Sequence, residues 1–295
     1  MTAYNQISRN KLKSTLLIVG FIAFVIGLGI VLSYAYEGGI GGMILAVIIS
    51  LVMALISYYA GDKVALLTNG AHGPIKLEDN PYLYRMVENL AITAGLPMPK
   101  VYLIADTSPN AFATGRDPEH ASVAVTTGIL EALKNEELEG VLAHELSHIK
   151  NYDIRLMTVV IICVGIVNLL AQIFLRVGGF SGHGRNRNQV GFAFALVGLI
   201  LLIFSPIIAK LIQLAVSRKR EFLADASGAL LTRYPEGLAR ALEKIDSAGQ
   251  PLQRANSATA HLFFANPFGS HRRWLNVFST HPPVAERVAA LRSIA

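Results

Sequence analysis

The sequence predicts an α-helical multi-pass membrane protein that also carries a mixed α+β domain outside the lipid. Of its 295 residues, 53% are hydrophobic and only 16% are charged, whereas soluble domains carry about 25% charged residues. Four stretches of at least 20 residues contain no Asp, Glu, Lys or Arg, so each can cross a hydrocarbon core of about 30 Å. Outside these stretches, short β-type runs alternate with amphipathic helical patterns, which indicates a folded α+β domain.

The apolar stretches divide the chain into four predicted parts. The stretches are Ser14–Tyr36, Gly38–Gly61, Leu156–Leu175 and Asn188–Ala209. From them we expect a membrane anchor of two transmembrane helices at 1–61, the first part of the α+β domain at 62–155, a transmembrane hairpin at 156–209 and the second part of the domain at 210–295. A buried hairpin that does not fully cross is the alternative, because it would keep three arginines off the outer side: Arg176, Arg185 and Arg187.

The basic residues orient the predicted spans. Arg9, Lys11 and Lys13 precede the first span without any acidic residue, and the connection around Glu37 to the second span has no positive charge. Because cytoplasmic flanks are rich in Lys and Arg, we expect the N-terminus in the cytoplasm. Both parts of the α+β domain then lie on the cytoplasmic side, the second part beginning near the basic flank Arg218–Arg220.

Composition also limits the partners and the compartment. The net charge of +6 is explained by Lys and Arg beside membrane spans, so we expect the lipid bilayer as a partner and no nucleic acid. Cys163 is the only cysteine, which excludes an intrachain disulfide and fits a reducing compartment.

Start signals and apolar periodicity predict the elements of the α+β domain. Asn80-Pro81 begins a helix whose apolar face is formed by Leu83, Met86, Val87 and Leu90. Three β-type runs and a short helix follow, at Lys100–Ala105, Ala111–Thr114, Ala121–Thr126 and Gly128–Leu133. A longer helix is predicted for Asn135–Asn151, with Asn135 as its N-cap.

The helix Asn135–Asn151 contains the motif that points to catalysis. His144 and His148 are four residues apart, so they lie about 40° apart on one helical face. Two imidazoles so placed can bind one metal ion, and Glu145 beside them can serve as a general base. This is the H-E-x-x-H pattern of zinc hydrolases, and it predicts a zincin-like metalloprotease fold for the α+β domain.

A catalytic zinc site usually has a third protein ligand. Before Glu221, the residues that follow the motif include only one acidic residue, Asp153, and one histidine, His183. Asp153 comes nine residues after His144, about 180° around a continuous helix, so we expect it to point away from the metal and to end the helix or pair with an arginine. His183 lies beyond the third apolar stretch, on the far side of the membrane if that stretch crosses.

Glu221 is the first Glu after the motif. It follows the fourth apolar stretch, on the same side of the membrane as His144, and is the predicted third ligand. Asp225 lies one helical turn later on the same face, where a second carboxylate can orient a ligating histidine. A solvated acidic helix face is the alternative for both residues.

Together these motifs resemble the HtpX family of membrane-bound zinc metalloproteases. The resemblance covers nearly the whole chain, from the paired N-terminal spans and the motif helix to matching runs at Pro109–Gly115, Val123–Thr126, Ser217–Asp225 and Ser279–Arg287. Members are bacterial heat-shock-associated endopeptidases, distantly related to the CAAX prenyl proteases. The resemblance implies a multi-pass protein of the bacterial inner membrane, linked to the stress response and to protein quality control. Its cytoplasmic active site would cleave misfolded or damaged membrane proteins.

The expected cofactor is one Zn²⁺ per chain, bound by His144, His148 and Glu221. Glu145 is the expected catalytic base, and Asp225 is the carboxylate expected to orient a histidine.

Three further residues are candidates for substrate binding or oxyanion stabilisation: Asn110, His281 and Arg287. Asn110 stands beside the run Ala111–Thr114, and an edge strand there could pair with an extended substrate. For His281 and Arg287 the alternative is a structural cap and a salt bridge.

Two other functions fit parts of the pattern. An intramembrane metalloprotease would place the motif within a span, but Glu136, Glu137 and Lys150 flank it and would be costly in lipid. A non-proteolytic membrane scaffold or adaptor that binds unfolded chains would have no use for a complete set of ligands and base. We therefore expect a zinc metalloendopeptidase with polypeptide substrates, foremost membrane proteins.

Overall fold

The computed structural model describes residues 3–35, 39–180, 199, 218–254, 259–269 and 282–294. The chain divides into two compact units. The first contains the described residues of 1–11, 62–158 and 213–295, and the second contains those of 12–61 and 159–212. The first unit thus includes the start of the predicted membrane anchor (1–61), and the rest of that anchor belongs to the second unit. The four-part domain assignment stays a prediction.

Three long apolar helices carry the predicted spans that the structure describes: α1 (Ala3–Ala35), α2 (Gly39–Thr68) and α6 (Asp153–Phe180). By length and composition, Ile7–Ile30 and Asp153–Gln172 can each cross a membrane. A third candidate within α2 is bent by 58° between Val47–Ile56 and Tyr58–Thr68. The predicted stretch Asn188–Ala209 lies outside the described residues apart from Leu199, so the count of four spans stays a prediction.

The second unit has an apolar core of its own. Phe21 and Val25 of α1 pack with Val159, Cys163 and Val167 of α6. On each helix these residues recur every four positions, so each helix contributes one stripe of side chains to this core.

A four-stranded sheet lies in the first unit, with the order β1-β2-β4-β3. Its strands are β1 (Ala71–His72), β2 (Lys100–Ile104), β3 (Ala111–Gly115) and β4 (Ala121–Thr126). β2 and β4 are parallel, and the other two pairs are antiparallel. The three predicted strands are confirmed. β1 was not predicted, because two residues are too few to show an alternating pattern.

Six further α-helices are described in this unit. They are α3 (Pro81–Ala94), α4 (Thr127–Ala132), α5 (Asn135–Lys150), α7 (Arg218–Thr232), α8 (Pro235–Ala248) and α9 (Val284–Arg292), and two short 3₁₀ helices lie at Pro118–His120 and Ala260–Leu262. The predicted start of α3 is confirmed, and Asn80 is its N-cap, accepting a hydrogen bond from the Leu83 N–H.

The predicted N-cap of α5 is wrong by one residue. Lys134 is the N-cap. The Glu137 carboxylate accepts a hydrogen bond from the Lys134 backbone N–H at 2.7 Å and another from Lys244 Nζ at 2.6 Å. Asn135 begins the helix, and its side chain instead accepts a hydrogen bond from the Tyr82 hydroxyl.

α5 lies at the centre of the first unit and is packed by α3, α7, α8 and β3. Leu138, Leu142, Leu146 and Ile149 are all buried. Close approach of α8 depends on Gly140, since a Cβ there would lie 2.9 Å from the Leu238 backbone nitrogen. The helix that carries the motif is therefore held on several sides by close packing.

Candidate metal centre

The two motif histidines meet inside the first unit. They come from successive turns of α5, and the Nε2 atoms of His144 and His148 are 3.1 Å apart. The side chain of His144 is 1% exposed and that of His148 is 7% exposed. Successive turns bring the two nitrogens together because positions i and i+4 share a helical face.

Glu221 approaches from α7, which packs directly on α5. Its carboxylate oxygens lie 3.9 Å from His144 Nε2 and 3.7 Å from His148 Nε2. One ligand atom from each of the three residues lies within 4.8 Å of the other two. The structure thus brings together the three residues named from the sequence as metal ligands. Their binding of a metal stays a prediction.

The donor set fits a divalent metal such as zinc. With bonds of about 2.0–2.1 Å in a tetrahedral site, two ligand nitrogens lie about 3.3 Å apart, close to the 3.1 Å between the histidine Nε2 atoms. The two Glu221 oxygens lie 3.9 Å from His144 Nε2 and 3.7 Å from His148 Nε2, respectively, so a shift of a few tenths of an ångström would bring the carboxylate to a ligand's distance from both nitrogens. Two imidazoles and one carboxylate are also the ligand types of catalytic zinc.

The two histidines differ in pKa because their surroundings differ. Burial lowers the pKa of His144 to about 4, and its hydrogen bond to Asp225 offsets this only in part. Burial also acts to lower the pKa of His148, but the hydrogen bond to Asp153 and the charge of Glu221 outweigh it and raise the pKa to about 9. To bind a metal, each imidazole must present an unprotonated Nε2, so metal binding at this pair would depend on pH.

Asp225 and Arg287 hold His144 from behind. The Nδ1 atom of His144 lies 2.9 Å from Asp225 Oδ1, so Nε2 faces Glu221 and His148. Arg287 donates to both oxygens of Asp225, at 2.6 and 2.8 Å. Burial alone would raise the pKa of Asp225, but the Arg287 charge and hydrogen bonds lower it to about 2. Asp225 therefore lies next to the Nδ1 atom of His144, the position from which a carboxylate can orient a ligating imidazole as predicted.

Asp153 does not point away from the metal ligands, contrary to the expectation from the sequence. Its Oδ2 lies 3.0 Å from Nδ1 of His148, the same relation that Asp225 has to His144. The expectation assumed a continuous helix. In the structure α5 ends at Lys150, and Tyr152 has a left-handed φ of +59°, which turns the chain before α6 begins. The predicted pairing with an arginine is confirmed, since Arg220 Nη1 donates to Asp153 Oδ1 at 3.2 Å.

Glu145 follows His144 directly on α5 and is 2% exposed. Its negative charge acts to raise the pKa of both His148 and Arg287. Its role as the catalytic base stays a prediction.

The three candidates for substrate or oxyanion binding have different positions. The Asn110 side chain bonds to the backbone of Ala265, donating to its oxygen and accepting from its nitrogen. Arg287 lies beside the ligands, with Nη1 3.9 Å from Glu221 Oε2, and forms the salt bridge that was the alternative to an oxyanion role. His281 lies outside the described residues. The oxyanion role stays a prediction for all three.

Sequence reasoning missed Phe264 and Gly228 as parts of this site. The Phe264 ring packs edge-on against His144 with 5.1 Å between ring centroids, and Arg287 lies over its face. Gly228 lies two helical turns after Glu221 on α7, where a Cβ would be 3.0 Å from the His144 backbone nitrogen. Neither position carries a local signal, because both depend on elements that are distant in sequence.

We expect Gly228→Ala to weaken metal binding by about tenfold. The new Cβ would press on the backbone of α5 at His144 and push α7, with Glu221, away from the histidines. Overpacking of this kind costs about 1–3 kcal/mol, and 1.4 kcal/mol corresponds to tenfold in affinity. The measurement is the zinc Kd of purified protein in competition with a chromophoric chelator.

The matched control is Ser227→Ala, one residue earlier on the same helix and only partly buried. It should leave the zinc Kd unchanged. Equal Kd values for Gly228→Ala and the wild type would show that the distance between the two helices does not control the third ligand.

Comparison with known proteins identifies the family. The family model described as Peptidase family M48 matches residues 77–295, which contain every residue of the cluster. The chain belongs to peptidase family M48.

The M48 chain is also 45% identical over 298 residues to "Protease HtpX homolog" of Caldanaerobacter subterraneus subsp. tengcongensis, covering 99% of this chain and 98% of that protein. The protein of the same name from Tropheryma whipplei is 45% identical over 293 residues, covering 99% of this chain and 98% of its own length.

A solved structure shares the fold. The crystal structure of S. mikatae Ste24p superposes with a TM-score of 0.50 at 19% sequence identity, covering 98% of this chain and 67% of that chain. The predicted membership of the HtpX family is confirmed by the curated relatives. The M48 chain is therefore a membrane-associated protease, and His144, His148 and Glu221 could hold a metal ion.

Proposed function

We propose that this M48 chain is a zinc-dependent endopeptidase of the bacterial inner membrane that cleaves misfolded or damaged membrane proteins at a cytoplasmic active site. One observation carries the catalytic part of the proposal. Two histidines and a glutamate from two packed helices converge within 4.8 Å, and a buried glutamate follows the first histidine. A membrane scaffold that only binds unfolded chains does not need this arrangement.

The chain's own residues divide the work of peptide hydrolysis. His144, His148 and Glu221 would hold the zinc ion, which supplies Lewis acidity at the scissile carbonyl. Glu145 takes a proton from the attacking water and later delivers it to the leaving amine. Two carboxylates, Asp225 and Asp153, accept hydrogen bonds from the histidine Nδ1 atoms and so keep both Nε2 lone pairs directed at the ion.

Substrate access requires movement around the site. The side chains of His144 and Glu221 are no more than 1% exposed, and Phe264 lies against His144. A polypeptide can reach these groups only when the elements that cover them shift, as lids do in many enzymes. We propose that an extended segment of the substrate then pairs with β3, the edge strand that packs next to α5.

The proposed substrates and location follow from the membrane segments and the family. The basic residues Arg9, Lys11 and Lys13 near the start of α1 favour a cytoplasmic N-terminus, and the described residues of 1–11 belong to the same compact unit as the candidate site. A cytoplasmic site on a membrane-anchored protease meets membrane proteins whose cytoplasmic segments have unfolded. This supports a role in membrane protein quality control.

Cleavage by the full-length protein tests the proposal. Protein purified in detergent and loaded with zinc should cut an unfolded test protein, stop when a chelator removes the metal, and resume when zinc is restored. Binding of the unfolded protein without cleavage, at any zinc level, would contradict the protease mechanism and favour the scaffold.

A further inference from the structure

The N-terminal helix contributes a buried side chain to the surroundings of the metal centre. Asn10, on the third turn of α1, is 3% exposed, although Arg9 and Lys11 on either side of it are exposed. Its Nδ2 atom donates to Asp153 Oδ1 at 2.7 Å and to the backbone oxygen of Asn151 at 3.0 Å. Both hydrogens of the amide are thus used on the break between α5 and α6.

The acceptor of this hydrogen bond is the carboxylate that holds a candidate metal ligand. Asp153 uses Oδ2 for the Nδ1 atom of His148, at 3.0 Å. Its other oxygen accepts from Asn10 at 2.7 Å and from Arg220 at 3.2 Å. The amide of Asn10 is the shorter of the two contacts on that oxygen, and it fixes the rotation of the carboxylate about its Cβ–Cγ bond.

A second contact anchors the same turn of α1. The Lys11 ammonium lies 4.1 Å from the centroid of the Tyr152 ring, and Tyr152 is the left-handed residue of the break. A cation over an aromatic face is attracted to the electrons of the ring. Asn10 and Lys11 therefore both contact the turn between α5 and α6, which places Asp153 beside His148.

We infer that Asn10 is a positioning residue for the metal centre, acting on the ligand His148 through Asp153; the inference rests on the proposed metalloprotease function. Partners of this kind set the tautomer and direction of a ligating imidazole, and their loss typically weakens metal binding by about 10–100-fold. The residues before the first span are then part of the metal centre as well as a membrane flank.

Two variants separate the hydrogen bond from simple packing. Asn10→Leu keeps nearly the shape of the side chain without its donors, and Asn10→Ala removes both shape and donors. We expect each to raise the zinc Kd of the full-length protein about tenfold, the lower end of the range for such partners. The visible spectrum of the Co²⁺-loaded protein should change in both, because the direction of one imidazole changes.

Asn69 provides the matched control. It is also 3% exposed, its Nδ2 donates to the Ala65 oxygen at 2.7 Å, and its side-chain oxygen accepts from Thr259 Oγ1. Asn69→Leu should lower the melting temperature with no change in zinc Kd or in the Co²⁺ spectrum. A purely structural role for Asn10 would make the Asn10 and Asn69 variants behave alike.

A double-mutant cycle tests whether the effect passes through Asp153. In an Asp153→Ala background, Asn10→Leu should cause no further rise in zinc Kd. An unchanged Kd in the single Asn10 variants, or the same tenfold rise with and without Asp153, would overturn the inference. A wild-type protein that binds no zinc would overturn the proposed function and the inference with it, so the two failures are distinguishable.

Discussion

Glu145→Gln should leave the metal bound and reduce cleavage by about 10²–10⁴-fold, the usual contribution of a general acid–base group. Gln has nearly the shape of Glu, so packing around this buried side chain is preserved. It cannot accept the proton of the attacking water, and the leaving amine loses its proton donor. The measurement is the single-turnover rate on an unfolded test protein at saturating enzyme, together with zinc per chain by elemental analysis.

Glu136→Gln is the control for this experiment. Glu136 lies in the first turn of the same helix and is exposed, so its variant should retain the full rate. A Glu145→Gln protein that cleaves as fast as the wild type would disprove the base assignment. A variant that has lost both zinc and activity would show instead that Glu145 supports the site structurally.

Glu221→Ala should abolish both stable zinc binding and cleavage. Removing a partner of a ligand costs about 10–100-fold in affinity, and removing a ligand itself should cost at least about 100-fold. The two histidines remain in place on α5, so weak binding at high zinc concentration is expected. The measurements are zinc per chain after dialysis against a chelator and the cleavage rate at saturating zinc.

Glu286→Ala is a matched control for the loss of a carboxylate. Glu286 is exposed on α9 and precedes Arg287, so it tests whether a nearby acidic residue matters in general. It should bind zinc with the same stoichiometry as the wild type. Retention of stoichiometric, tightly bound zinc by Glu221→Ala would exclude this residue as the third ligand.

Local sequence spacing was enough to predict the elements that carry the site. The helix over Asn135–Asn151 and the strands Ala111–Thr114 and Ala121–Thr126 agree with the structure to within a residue or two. Their periodicities of 3.6 and 2 residues are properties of neighbouring positions. The pairing of His144 with His148 follows from the same local geometry.

Glu221 was named by exclusion, since few acidic or histidine side chains stand between it and the motif. The composition of the intervening chain, and the side of the membrane on which that chain ends, were enough to name this residue. The close packing of α7 on α5 could not be predicted in this way, because it depends on the absence of a side chain at Gly228. A single glycine in a helical pattern shows no partner until both helices are packed.

The local periodicity of this chain therefore determined its apolar helices, its strands and the pair of histidines, because each depends on residues a few positions apart. Only the tertiary structure decided what surrounds that pair. Asp153 reaches His148 because one left-handed residue, Tyr152, turns the chain after α5 ends. Asn10 reaches Asp153 across 143 positions of the chain. Such contacts depend on how closely two helices pack and on where the chain turns between them. The periodicity of a helix or a strand contains no information about either.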